Sequence, residues 1–207
     1  MLKREQEKIP FKYVGLPVYS ISAGLVLRRW PMSRPRPPQP AKLVIGLFTS
    51  AKRHAEEVCN QLQSIYGPVD LVSRWFDFAF TDYYQQEMGA PLFRRVFAFE
   101  RLIPQQHLAM IKCHTNALET ALSRDGRRKV NIDPGYLLYE RFVLATGKNY
   151  THRIYIGCGI YADLTLIYQK GAYRPLPWTY PDYATSEILD FLLEVRRLYA
   201  ENVKALQ

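Results

Sequence analysis

Apolar positions recur along the chain in two rhythms, and the switches between them mark the expected elements. Lys42–Phe48 (KLVIGLF) is a continuous apolar run, which predicts a buried strand. Ala55, Val58, Leu62 and Ile65 then recur at helical spacing up to Tyr66, and Gly67-Pro68 stops that helix. Thr49 or Ser50 is its expected cap, because a short hydroxyl accepts from free amides of the first turn. Val69–Phe80 reads as a strand. Val69 and Leu71 alternate in one phase and Phe76, Phe78 and Phe80 in the other, which predicts a bulge at Ser73–Trp75. Thr81–Gly89 is a connection or one helical turn, and Leu92–Leu102 is the next strand.

The second half repeats the alternation. Pro104 suits a first helical turn, and Leu108, Ile111, Thr115, Leu118 and Leu122 follow as an apolar stripe. Asp125-Gly126 ends that helix and Arg128–Asp133 returns as a strand. Pro134-Gly135 fits the centre of a type II turn. Tyr136–Thr146 is ambiguous between strand and helix. Arg153–Ile156 and Ile160–Tyr168 read as strands around Gly157-Cys158-Gly159. Leu176–Thr185 is an aromatic loop, and Thr185 or Ser186 is expected to cap a last helix carrying Ile188, Phe191, Leu192, Val195, Leu198 and Tyr199. The order β-α-β-β-α-β predicts an α+β fold: a ferredoxin-like core, with an added β-hairpin and a carboxy-terminal helix.

Charge and proline change the picture only at the amino terminus. The chain of 207 residues carries a net charge of +9. Residues 1–41 hold eight Lys/Arg, two Asp/Glu and seven of the fourteen prolines, leaving residues 42–207 at +3. The domain proper is expected over 42–207, behind a basic, proline-rich extension over 1–41. The apolar stretch YVGLPVYSISAGLVL is interrupted by Pro17 and is shorter than the roughly 20 residues a membrane span needs. Arg28-Arg29 stands where a signal peptide would be cleaved. MSRPRPPQPAKLVIGLFTS reads as a normal opening, so translation is expected to start at Met32, with residues 1–31 an over-extended start; a disordered basic tail is the alternative. A cytoplasmic protein without a membrane partner is expected. Three cysteines exclude a disulfide scaffold.

NIDPGYL (131–137), HRIYIGCGIYADLTL (152–166) and PLPWTYPDY (175–183), with KLVIGLFTS and FTDYYQQEMG, resemble the prokaryotic family known as domain of unknown function 4416. The resemblance runs over residues 42–199 and implies no activity and no catalytic residues. Some members carry the label GTP-binding protein. Here the first strand is followed by GLFTSAKR, which lacks the second glycine of a phosphate-cradling loop, and ATGKN at 145–149 has no glycine loop upstream.

Candidate chemistry gathers late in the chain. A three-residue loop at Gly157-Cys158-Gly159 pairs Ile156 with Ile160, Tyr155 with Tyr161, Ile154 with Ala162 and Arg153 with Asp163. One face, with Ile154, Ile156, Ile160, Ala162 and Leu164, is then core. The other, with Arg153, Tyr155, Tyr161, Asp163 and Thr165, is a polar aromatic binding wall or a solvated face with an ion pair worth ~0.2–1 kcal/mol. Asn131 and Asp133 project together at a strand end. Asp133 either holds its turn or serves as a general base or a metal ligand. His152 is the expected proton carrier, whereas His54, His107 and His114 fall on polar helix sides. Asp82 lies in an aromatic loop, and Trp178, Tyr180 and Asp182 in another; such rings lid the core or stack a base or sugar.

The expected site is therefore Asp133 and His152 as catalytic groups, with Asp82, Asn131, Arg153, Tyr155, Tyr161, Asp163, Trp178, Tyr180 and Asp182 as ligand contacts. Cys59, Cys113 and Cys158 have no metal-ligand spacing, so no metal is expected, and no cofactor is named by any motif. The favoured reading is a small-molecule or nucleotide-binding protein, as a hydrolase or transferase. An RNA-binding module is the alternative, against which the near-balanced domain charge counts. A non-catalytic interaction protein is the third. Oligomeric state is not legible.

Overall fold

The structure, a computed structural model, describes residues 36–206 apart from Asp82. The readings of residues 1–31 lie outside the described residues. The elements are β1 (Ala41–Thr49), α1 (Arg53–Tyr66), β2 (Val69–Val72), β3 (Phe76–Asp77), α2 (Gln85–Met88), β4 (Phe93–Ile103), α3 (Leu108–Ala121), β5 (Val130–Leu137), β6 (Arg141–Thr146), β7 (Arg153–Gly157), β8 (Ile160–Gln169), β9 (Ala172–Pro175) and α4 (Ser186–Lys204). Among the described residues these are four helices and nine strands, an α+β fold.

The strands form one open antiparallel sheet in the order β2-β4-β1-β5-β6-β8-β7, with β3 on β4 and β9 on β8. β1 is buried along its whole length, as its unbroken apolar run demands. Its core side chains Leu43, Ile45 and Leu47 share one cluster with Val58 and Leu62 of α1, Ile111 and Leu118 of α3, and Ile188, Leu192 and Val195 of α4. Lys42 projects toward α4, donating to Asn202 Oδ1 at 2.7 Å and pairing with Asp70. Among the described residues no helix is long and apolar enough to cross a membrane.

Several local expectations need correction. Thr49 does not cap α1. The strand continues through it, and its hydroxyl donates to Lys129 O at 2.7 Å, while Ser50 donates to Met88 O at 2.6 Å. Neither Thr185 nor Ser186 caps α4 through its side chain; Thr185 donates instead to Asp182 O at 3.0 Å. The strand expected over Val69–Phe80 is two short strands, with the break at Ser73–Trp75 where the phase changes. Pro134-Gly135 is not a turn but the middle of β5. The segment 136–146 holds the end of β5, to Leu137, a turn over 138–140 and the strand β6; β7 and β8 form the expected hairpin, and β9 is added to it.

The β7–β8 pairing is Arg153 with Asp163, Ile154 with Ala162 and Tyr155 with Tyr161, as expected. Beyond Tyr155 the register shifts, so that Gly157 rather than Ile156 faces Ile160. Ile154 is not core. It is 71% exposed, because β7 is the last strand of the sheet, and of its residues Ile156 is the one packed on the small cluster formed with Leu108 and Ala109 of α3.

Candidate functional site

The geometry of the site begins at Pro134-Gly135. β5 pairs with β1 from Val130 to Leu137, but with β6 only from Gly135 onward. By the alternation of a strand, the amide of residue 134 would point toward β6, and proline has none to offer. Gly135 is the crossing point: a Cβ there would lie 2.6 Å from Val143 O and 2.9 Å from Leu144 Cδ2. The two strands touch at Gly135 and part below it.

Backbone groups exposed by the parting need other partners. The α3 helix supplies them. Lys112 Nζ donates to Ile132 O at 2.7 Å, and Ile132 N donates to Glu119 Oε1 at 2.7 Å. Two charged side chains thus replace a ladder strand. Lys112 also lies 3.9 Å from Glu119 and 3.9 Å from Asp133 Oδ1. Burial raises the pKa of Glu119, against the pull of Lys112. From Asp133 the network runs outward. Asn131 Nδ2 donates to Asp133 Oδ2 at 2.9 Å, and Arg128 Nη1 to Asn131 Oδ1 at 3.2 Å. Arg128 then grips Glu87 of α2 through Nε at 2.8 Å and Nη2 at 2.7 Å. Those bonds hold the Glu87 carboxyl below its ordinary pKa.

Between the parted strands lies a cavity of about 510 Å³. Asn131, Asp133 and the α3 side chains form one wall, and Leu144–Lys148 with Asp163 and Thr165 the facing one. The lid is aromatic: Tyr83 and Tyr84 beside α2, and Trp178 and Tyr180 from the loop before α4. Trp178 is fixed by its Nε1 donating to Leu164 O at 2.8 Å. Phe48 and Phe78, stacked with centroids 4.4 Å apart, line the cavity beneath Tyr84, whose phenol burial pushes up to about 12.

The deepest part holds a buried ion pair. Arg94 is 1% exposed and Asp182 fully buried; they are in direct contact. The guanidinium lies over Gly46 of β1, where a Cβ would come within 2.7 Å of Nη2 and 2.8 Å of the Tyr183 hydroxyl. Glycine is needed there to admit both groups. Burial pushes the Asp182 pKa up to about 6, with Arg94 opposing and Asp133 reinforcing the rise. Burial works most strongly against the charge on Arg94, but Asp182, Tyr183 and Asp133 together outweigh it and raise the Arg94 pKa.

At the outer end, Asp163 Oδ2 accepts from Arg153 Nε at 2.8 Å and lies 3.3 Å from His152 Nε2. His152 stacks between Tyr150, at 6.3 Å, and Trp178, at 5.0 Å. It stands behind Asp163 and Trp178 and is not a lining residue. Arg153 Nη1 also donates to Lys148 O at 2.9 Å, which ties the β6–β7 connection to the site.

Of the residues singled out in the sequence, Asn131, Asp133, Arg153, Asp163, Trp178, Tyr180 and Asp182 line this one cavity. His152 reaches it through Asp163. Tyr155 is 60% exposed and meets Tyr161 edge to face at 5.5 Å, and neither ring lines the cavity. Asp82 lies outside the described residues. Arg94, Lys112, Glu119, Arg128 and Lys148 escaped the sequence reading. A line of polar residues at 112, 116 and 119, beside the apolar stripe of α3, was the available signal for two of them. Among the described residues no group of three or more His, Cys, Asp or Glu is placed to hold a metal.

The profile of one family, Domain of unknown function (DUF4416), matches residues 39–199. Neither a curated protein nor a solved structure matches the chain.

Proposed function

This chain belongs to the DUF4416 family, and we propose that it binds a small anionic molecule of the nucleotide class between β5 and β6 and performs acid–base chemistry on it, as a hydrolase or transferase. The observation that carries this reading is the cavity at the parted strands. Five cations, Arg94, Lys112, Arg128, Lys148 and Arg153, line it against four carboxylates, Glu119, Asp133, Asp163 and Asp182. Its rings are gathered inside it, where they suit one flat ligand rather than a strand of RNA laid across an open face.

The acid–base groups stand on two walls. Asp133, steadied by Asn131 and Lys112, is the general base on β5. His152 is the proton carrier on the β7 side, standing behind the cavity wall and exchanging its proton through Asp163, while Arg153 shares that carboxylate and faces the anion. Asp133 and the His152–Asp163 pair have separate partners, so Asp133 and Asp163 face a bound molecule from two walls rather than as one relay. The strand order β2-β4-β1-β5, with α1 and α3 in the connections, supports a ferredoxin-like core beneath the site. Free thiols at Cys113 and Cys158, both exposed, support a cytoplasmic setting.

Thermal denaturation of the full chain with millimolar uridine, adenosine, cytidine and guanosine 5′-monophosphates tests this. At least one is expected to raise the melting temperature, and Arg153→Ala to remove the effect. No shift with any of them contradicts the reading. A larger, strongly salt-dependent shift with a 20-nucleotide RNA would favour the RNA-binding alternative.

A further inference from the structure

The buried end of the cavity contains polar atoms with no satisfied partner. Arg94 Nε and Nη2, both Asp182 carboxylate oxygens and the Tyr183 hydroxyl make no hydrogen bond of good geometry, although each is shielded from solvent. The Asp182–Arg94 contact is an ion pair, the Tyr183 hydroxyl approaches Arg94, and the amides of residues 182–183 approach the carboxylate, none with full hydrogen-bond geometry. Buried groups of this kind are paired in native structures, and an unpaired set in a cavity wall signals something that fills it. All three residues line the cavity.

The chemistry of that set is specific. Guanidinium nitrogens donate and carboxylate oxygens accept, so together they complement a group carrying an acceptor beside a donor. The pair is neutral overall, which suits an uncharged group. The surroundings are flat: the Arg94 guanidinium lies 4.4 Å from the Tyr183 ring centre and 5.7 Å from that of Phe78. The exposed end differs, with Lys148 and Arg153 at the rim. One end is built for a neutral planar edge and the other for an anion.

We propose that Arg94, Asp182 and Tyr183 form a nucleobase subsite, in which a ring N–H or amino group donates to Asp182 and the neighbouring ring nitrogen or carbonyl accepts from Arg94, with the ligand's phosphate at Lys148 and Arg153. This rests on the nucleotide-class reading of the cavity and names which part of the ligand enters first. Tyr183 and Phe78 flank the base, and Gly46 leaves the room that lets the guanidinium lie flat against β1.

Calorimetric titration of the full chain separates the subsite from the cavity reading. The tightest of the four common 5′-monophosphates is compared with ribose 5-phosphate and with its own counterpart methylated at the donor: N3-methyl for uridine, N1-methyl for guanosine, N4,N4-dimethyl for cytidine, N6,N6-dimethyl for adenosine. The nucleotide is expected to bind at least tenfold more tightly than either, because each control leaves buried groups unpaired. Asp182→Asn should weaken the nucleotide about tenfold and ribose 5-phosphate less than twofold. Equal binding of nucleotide and ribose 5-phosphate would overturn the subsite while leaving the anion site standing. Equal losses for both ligands in Asp182→Asn would also overturn it. Binding of no phosphate ligand at all would overturn both readings. If Asp182→Asn fails to fold, the methylated ligands on the unaltered protein still decide.

Discussion

The two sides of β5 show how this fold makes room for a site. Toward β1, eight residue pairs run without a shift from Lys42↔Leu137 to Thr49↔Val130, and the side chains around them are core. Toward β6, three pairs hold and then the ladder stops. The same strand serves a sealed junction on one edge and an open one on the other. Where the ladder is complete, backbone groups are satisfied locally and nothing polar is needed. Where it stops, Lys112 and Glu119 come in from a helix, and they bring charge into the interior. The candidate site is a consequence of that substitution.

Breaking the open side at its most dependent point should have the largest effect. Lys112→Ala leaves Ile132 O without its donor and Glu119 with Arg128 as its one remaining cation, both buried. A loss of about 3–5 kcal/mol is expected in urea unfolding. A loss under about 1 kcal/mol would mean that α3 does not hold the parted strands.

A pH series is next in size. Asp182 rises from its ordinary 3.8 to about 6 on folding. The folded state therefore holds this proton more tightly than the unfolded one. The contribution of Asp182 is most favourable below about pH 4 and is lost as pH rises through about 6, a fall of roughly 3 kcal/mol. Asp182→Asn should remove that slope, so the stability difference between variant and parent is expected to change over this window and to be flat above about pH 7. A difference that is flat throughout would contradict the burial argument.

Gly135→Ala probes the crossing itself. Its methyl meets a backbone carbonyl at 2.6 Å, and a cost of about 1–3 kcal/mol is expected from overpacking. Gly147→Ala, where a Cβ meets nothing within 4 Å, is the control and should be near neutral. Smallest is the rim pair. Arg153 and Asp163 are 17% and 12% exposed in their side chains, so a double-mutant cycle to alanine should give a coupling of about 1 kcal/mol. Zero coupling would place the pair in solvent and remove it from the site wall.

The sequence carried most of the sheet but misplaced its break. Runs such as KLVIGLF and the stripe of α3 report burial directly, because each is decided by neighbours a few residues away. Pro134-Gly135 was read as a turn, the usual consequence of that pair, when proline's missing amide and glycine's missing side chain were marking a strand that parts from its neighbour. The register of Arg153 and Asp163 followed from a short hairpin, whereas Ile154 was misread because only the third dimension places β7 at the edge. Arg94 and Asp182 meet from 88 positions apart in the chain (182 − 94), and no local pattern in FRRVF distinguishes a buried arginine from a surface one.

The central claim is that the gap between β5 and β6 is the binding site. Amide chemical-shift mapping by NMR, with the tightest-binding nucleoside monophosphate as probe, tests it most directly. The account predicts shifts concentrated on residues 130–133 of β5 and 144–148 at the end of β6, with Tyr84 and Trp178 at the lid. Shifts concentrated instead beside α1, in the second hollow around Cys59, Val72 and Arg95, would contradict it.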